Sequence, residues 1–169
     1  MDKEVIDLSG NEFHNEMGSG PQGVWRPAKR NGHRHSDGGK KTSTCQQLAD
    51  IIGGVVIAST PACVVQRLRN INATILGRHT ESPLALPFAL SFENNVRGNT
   101  LNLGETVLLQ KEANALMSAL QRRGLIVTAF HNHWLFEKPR LMYMHWENVG
   151  DPFEFAVNSF EAAKEARLF

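Results

Sequence analysis

The stretch from Leu101 to Phe130 limits the possible folds more than any other part of this chain. Leu101, Leu103, Val107 and Leu109 sit at strand spacing, interrupted at Gly104-Glu105. Ala113, Leu116, Met117 and Leu120 then fall at i, i+3, i+4 and i+7, which predicts an amphipathic helix over residues 110–123. Glu112 lies in its first turn and Arg122-Arg123 in its last, complementing the helix dipole, and Gly124 suits the left-handed position after it. Leu125-Ile126-Val127-Thr128-Ala129-Phe130 follows at once as a nearly continuous apolar run. Strand, helix, strand is a right-handed crossover unit, so the two strands run parallel if they share a sheet. The missing alternation in 125–130 predicts a central strand buried on both faces.

The flanking segments supply further elements. Thr44 as N-cap, Leu48, Ile51 and Ile52 at helical spacing, and Gly53-Gly54 as terminator predict a short helix. Val55–Ala58 and Cys63–Leu68 read as strands around the Ser59-Thr60-Pro61 turn, and Asn72–Leu76 as another. Leu84, Leu86, Phe88, Leu90 and Phe92 recur at every second position, but Pro83 and Pro87 cannot donate ladder hydrogen bonds, so this strand is expected at an edge or bent at a bulge. Residues 94–99 form a turn that pairs it with the 101–109 strand as a hairpin. Leu141–Trp146 returns as a strand, and Asp151 as N-cap, Pro152 at the first helical position and Glu154 in capping-box position open a last helix with Ala156, Val157, Phe160 and Ala163 on its apolar face. The expected class is α+β: a mixed, mainly antiparallel sheet with helices packed on it, containing a βαβ-β-α unit in the C-terminal half.

Composition sets the domain limits. Glycine is dense from Ser9 to Thr44 and large aliphatics are almost absent between Trp25 and Thr44, so this stretch cannot bury enough apolar surface to offset its ordering entropy. Residues 1–44 are expected to form a disordered arm ahead of a single domain over residues 45–169. Arg26, Lys29, Arg30, Arg34, Lys40 and Lys41 face one acid, Asp37, in residues 26–41, a segment able to contact phosphates. It lacks interleaved aromatics beyond Trp25, and a solvated tail is the expectation rather than a nucleic-acid contact. The whole-chain net charge is +1, which gives no global field toward nucleic acid or membrane, and no membrane partner is expected. The start Met1-Asp2-Lys3-Glu4 is charged and no stretch has ~20 apolar residues, so neither a secretory signal nor a span is expected. Cys45 and Cys63 are accordingly expected as reduced thiols in a cytoplasmic protein.

Chemistry concentrates after the 125–130 strand. His131, His133, Glu137 and His145 lie within fifteen residues. Imidazoles two apart on an extended chain point to one face. In a first reading, His131 and His133 are metal ligands, with His145 or Glu137 completing the set for zinc, iron, manganese or nickel. A second is a metal-free site for a small polar or anionic ligand flanked by Glu137, Arg140 and Tyr143, with His131 or Glu137 as the candidate acid or base. A third is structural: the histidines only bond turns, and Trp134, Leu135 and Phe136 plug the core rim. The runner-up function class is a non-catalytic interaction module, in which the same loop presents Trp134 and Phe136 to a partner protein. Register decides the place of His145. A turn centred between Glu137 and Lys138 pairs it with Phe130, away from His131; a turn centred on Lys138 pairs it with His131 itself. Oligomeric state and reaction are not legible.

The segments Gly104–Leu109, Val127–His133, Glu137–His145 and Gly150-Asp151-Pro152 resemble the LppY/LpqO-like family of uncharacterised bacterial proteins, over roughly residues 45–166. The His-Asn-His and Glu-x-Pro-Arg pair carries most of the likeness. The resemblance implies a fold unit and a site, with no reaction attached. Several members of that family are predicted lipoproteins with two copies of the domain, whereas here a single, non-exported copy is expected. His-x-His-x-x-x-Glu also matches the first half of a cupin metal motif, but a helix precedes it and no later glycine- and proline-containing motif follows, which argues against the cupin fold.

Overall fold

A computed structural model describes residues 43–169. The expectation of a disordered arm, and of its basic segment, falls on residues outside those described, apart from Ser43 and Thr44.

The chain forms an α+β domain, as its periodicities require. Helix α1 (Thr44–Ile52) is capped one residue earlier than expected, by Ser43, whose side chain accepts from the Gln46 N–H, and it ends on Gly53 in the left-handed conformation. Strands β1 (Val55–Ala58), β2 (Cys63–Leu68), β3 (Ala73–Ile75) and β4 (Arg78–Thr80) follow, then β5 (Pro87–Val96) and β6 (Asn99–Leu109). A 3₁₀ turn over Gln110–Glu112 leads into α2 (Ala113–Arg122), and β7 (Ile126–Asn132), β8 (Glu137–Lys138), β9 (Leu141–Gly150) and α3 (Pro152–Glu165) complete the order. Asp151 caps α3 by accepting from the Glu154 N–H at 2.9 Å, with Pro152 in the first turn.

Six strands make one sheet in the order β1-β2-β5-β6-β9-β7, and β4-β3-β8 make a smaller one. All neighbours are antiparallel. Because β6 and β7 both run antiparallel to β9, which lies between them, they are parallel to each other, as the crossover through α2 predicts.

Two sequence expectations about position are corrected. Strand β5 is interior, between β2 and β6. Pro83 lies outside it and Pro87 is its first residue, where a missing N–H does no harm to the ladder. Conversely, β7 is the edge strand, with Ile126 60% exposed and most of its residues outside the core. Its apolar run reflects one buried end, Leu125, and partial packing of Val127, not burial on both faces. The β5–β6 turn is also tighter than expected: Arg97 and Gly98 both have positive φ, the form that suits a two-residue hairpin.

Alternation assigns the faces of the large sheet. Phe88, Leu90 and Phe92 of β5, Leu108 of β6, and Met144 and Trp146 of β9 point to one side and pack with Leu48, Ile52, Leu116, Leu120 and Phe155 of the three helices. Gly104 is explained here. A Cβ on it would lie 2.3 Å from Trp146 Cε2, so only glycine lets the indole lie across β6 and donate to Ser159 Oγ at 2.9 Å. The opposite face is covered only in part. There Val107, Leu141 and Tyr143 form a second core with Ile71, Ala73, Ala85 and Leu86, joined by Ile75, Leu109 and Trp134.

Cys45 and Cys63 are bonded as a disulfide across α1 and β2, with Cα atoms 5.7 Å apart, which corrects the expectation of free thiols. The fold brings two residues eighteen positions apart side by side. Such bridges belong chiefly to oxidising surroundings, so the cytoplasmic expectation loses the support it drew from the thiols. No described helix is long and apolar enough to cross a membrane.

A candidate histidine site on the open face

The uncovered half of the second face carries the site. Register places Glu105 of β6 opposite His145 of β9, with Ala129 of β7 on the other side of His145 and His131 opposite Tyr143. This register is neither of the two that the sequence allowed, but it has the parity that matters: His131 and His145 share a face. The irregularity between Val127 and Ala129 shifts the pairing by one residue and leaves the site end of β7 in this phase.

The two imidazoles are nearly parallel, with ring centroids 5.1 Å apart and Nε2 of each 3.0 Å from the other. His131 Nδ1 lies 2.9 Å from the Asn132 carbonyl, which can only accept, so that nitrogen carries the proton. His145 Nδ1 faces Glu105 Oε2 at 3.7 Å, a charge neighbour beyond hydrogen-bond reach. With the His145 proton on Nδ1, the two Nε2 atoms, 3.0 Å apart, are both free to accept or to ligate. Moving the His145 proton to Nε2 converts the contact into a hydrogen bond, at the expense of aiming a lone pair at the Glu105 carboxylate. Burial lowers the His145 pKa below the ordinary histidine value and the neighbouring His131 and His133 push the same way, against the opposing pull of Glu105.

His133 shares the face but not the convergence. Its ring stacks on Tyr143 with centroids 4.3 Å apart, meets Trp134 edge-on, and lies 6.1 Å from the His131 ring. Tyr143 is buried, donates its hydroxyl to the Ala85 carbonyl at 2.7 Å and accepts from Trp134 Nε1 at 3.3 Å. Burial raises its pKa, so it is a neutral core residue packed between the large sheet and the small one. Glu137 belongs to the small sheet, opposite Ile75; its carboxylate is fully buried, with Arg140 Nε 3.0 Å away as a charge contact without aligned hydrogen bonds. Among the described residues, no group of three or more His, Cys, Asp or Glu side chains is disposed to hold a metal ion. The structure thus joins His131 and His145, keeps His133 beside them, and engages Glu137, Arg140 and Tyr143 elsewhere.

Glu105 is the neighbour that sequence reasoning passed over. Its signal was the break at Gly104-Glu105: the glycine serves Trp146 on one face and the glutamate serves His145 on the other. Glu112 has a role beyond the helix dipole. It takes two hydrogen bonds from the buried Arg69 guanidinium, at 2.8 and 3.2 Å, and one from the Leu109 N–H.

Two grooves flank His145. One, of about 270 Å³, is lined by Val64, Ala89, Leu90, Ser91, Leu103, Gly104, Glu105 and His145. The other, of about 380 Å³, runs along Leu103, Thr128, Ala129, His131 and Glu147. A small ligand can thus approach the imidazoles from either side.

The family model described as "Domain of Unknown Function (DUF1259)" matches residues 46–165, which span α1 to the end of α3. The chain belongs to that family. No curated protein and no solved structure matches it. The matched span includes the large sheet, the second core, most of the first and every residue of the site. In this DUF1259 domain His131 and His145 sit on sheet strands, and His133 lies in the connection just past the end of β7.

Proposed function

We propose that the open face binds a divalent metal ion through His131 and His145, and through it a small polar ligand. One observation supports this most directly: two Nε2 atoms 3.0 Å apart whose Nδ1 partners both face acceptors. A histidine that ligates a metal commonly presents its other ring nitrogen to a carbonyl or carboxylate; His131 does so to the Asn132 carbonyl, and the Glu105 carboxylate stands 3.7 Å from His145 Nδ1. Two nitrogens on a tetrahedral zinc lie about 3.3 Å apart, given Zn–N distances of ~2.0–2.1 Å, so a small separation of the rings admits the ion. Exposed His133 is the third ligand in this reading, by rotation of its side chain off Tyr143. The coordination positions left over take water or ligand from the grooves, the arrangement that Lewis-acid chemistry requires. Zinc, iron, manganese and nickel all suit imidazole donors.

Metal analysis and titration of protein made without a histidine tag test the proposal. One equivalent of metal is expected, binding is expected to weaken as pH falls through the histidine range, and His131→Ala and His145→Ala should each abolish it. Glu105→Gln should cost roughly 10–100-fold in affinity. His133→Ala identifies or removes the third ligand. Absence of binding at micromolar zinc, iron, manganese and nickel overturns the reading and leaves the metal-free alternative, in which the imidazoles are hydrogen-bonded to each other and handle a proton.

A further inference from the structure

The smaller sheet ends in a feature that neither core nor site uses. The β3–β4 turn and the segment before β8 lie side by side, the Leu76 N–H donating to the Phe136 carbonyl at 2.9 Å. Together they expose Leu76 at 74%, Leu135 at 77% and Phe136 at 68%. Leu76 also has φ of +51°, and Gly77 follows at +75°. Asparagine or glycine is the usual choice at such a turn position, and a large side chain there is strained. The chain thus holds a leucine in an unfavourable conformation at a position where it is also exposed to water.

The exposed charges around the tip have one sign. Residues 73–80 and 133–140 hold Arg78, Lys138 and Arg140 against a single carboxylate, Glu137. That carboxylate is buried and already paired with Arg140. Arg78 is opposite Ile75 and Lys138 opposite Thr74, so exposed cations flank the apolar tip on both sides. The whole-chain charge of +1 conceals this local asymmetry.

We propose that this tip docks on an anionic lipid surface, with Leu76, Leu135 and Phe136 entering the interface and Arg78 and Lys138 meeting the headgroups. Three side chains are far too few for the roughly 1,000 Å² that a stable protein interface needs. A few apolar side chains backed by cations are enough for interfacial binding, in which apolar insertion and attraction to anionic lipid add. The tip is a peripheral contact and needs no membrane-crossing segment.

Co-sedimentation of the full chain with phosphatidylcholine vesicles, with and without phosphatidylglycerol, tests this. Binding to the anionic vesicles is expected, weaker in high salt, and little to the neutral ones. The double variant L135S/F136S should lower partitioning tenfold or more, and Lys138→Glu should lower it several-fold. Circular dichroism melts of both variants should match the wild type, because these side chains are exposed. Failure of the wild type to bind anionic vesicles overturns the proposal. So does a double variant that binds as well as wild type, which would assign the binding to another part of the chain such as residues 26–41. A tip-dependent dimer without vesicle binding, seen by light scattering, overturns it in favour of a protein contact.

Discussion

The two faces of the large sheet are built from alternate residues of the same strands, yet they have become different materials. Toward the helices, β9 presents Met144 and Trp146, both fully buried; toward the open side it presents Tyr143, His145 and Glu147. Strand β6 divides in the same way, Thr106 and Leu108 on one side and Glu105 and Val107 on the other. The open side is itself split. Val107, Leu141 and Tyr143 are sealed by the small sheet, while Leu103, Glu105 and His145 remain accessible. Functional groups therefore collect where the cover stops. There the strands are held rigidly by the core behind them, and no apolar layer penalises an imidazole or a carboxylate in front.

The comparison is broken most directly by a pair of substitutions one residue apart. Trp146→Ala should cost about 3–5 kcal/mol, from lost transfer energy, a cavity beside Gly104 and an orphaned Ser159 hydroxyl. His145→Ala should cost less than ~1 kcal/mol, since it faces a groove. Urea denaturation measures both, and equal costs would mean that the open face is as structural as the helix face.

The buried Arg69–Glu112 pair ties the segment after β2 to the start of α2, with side chains 5% and 13% exposed. Glu112→Gln should cost about 3 kcal/mol, because removing one partner leaves the other charge buried and unpaired. Burial by itself would raise the Glu112 pKa, but the hydrogen bonds from Arg69 and the Leu109 N–H, with the Arg69 charge, outweigh it and hold the carboxyl below its ordinary value. The sign follows: its stabilisation is complete above the ordinary carboxylate range and is lost as pH falls through the lower folded-state value. Unfolding midpoints measured down the acid range should show that slope in the wild type and lose part of it in Glu112→Gln.

The smallest effect belongs to the edge. Ile126→Ala should cost under ~1 kcal/mol, because the side chain is 60% exposed on β7. A cost near that of Trp146→Ala would mean that another surface covers β7 in solution.

Much of this architecture was readable from local pattern. The period of 113–120, the Gly124 stop, the hairpin of β5 and β6, and the Asp151-Pro152 start of α3 are all decided within a few residues by dihedral preference and amphipathic spacing. The parallel relation of β6 and β7 followed from the handedness of crossovers. Strand position was not readable. The apolar run 125–130 predicts a central strand and the prolines at 83 and 87 predict an edge strand or a bulge, while the fold makes the first an edge and the second interior, because local sequence reports a segment's composition but not which strand it pairs with. The site was legible in part for the same reason. The histidines at 131 and 145 stood out by residue type, and Glu105, forty residues before His145, could be joined to them only by pairing.

By itself, then, the sequence determined the elements, their class, and the residues with the chemistry to form a site, since these depend on neighbours along the chain. Tertiary structure decided which strands are interior, that Cys45 and Cys63 meet, and that His145 shares a face with His131 and not with Phe130. Each of those depends on register, and a register is set by contacts between residues far apart in the chain, where a single-residue slip reverses every side chain.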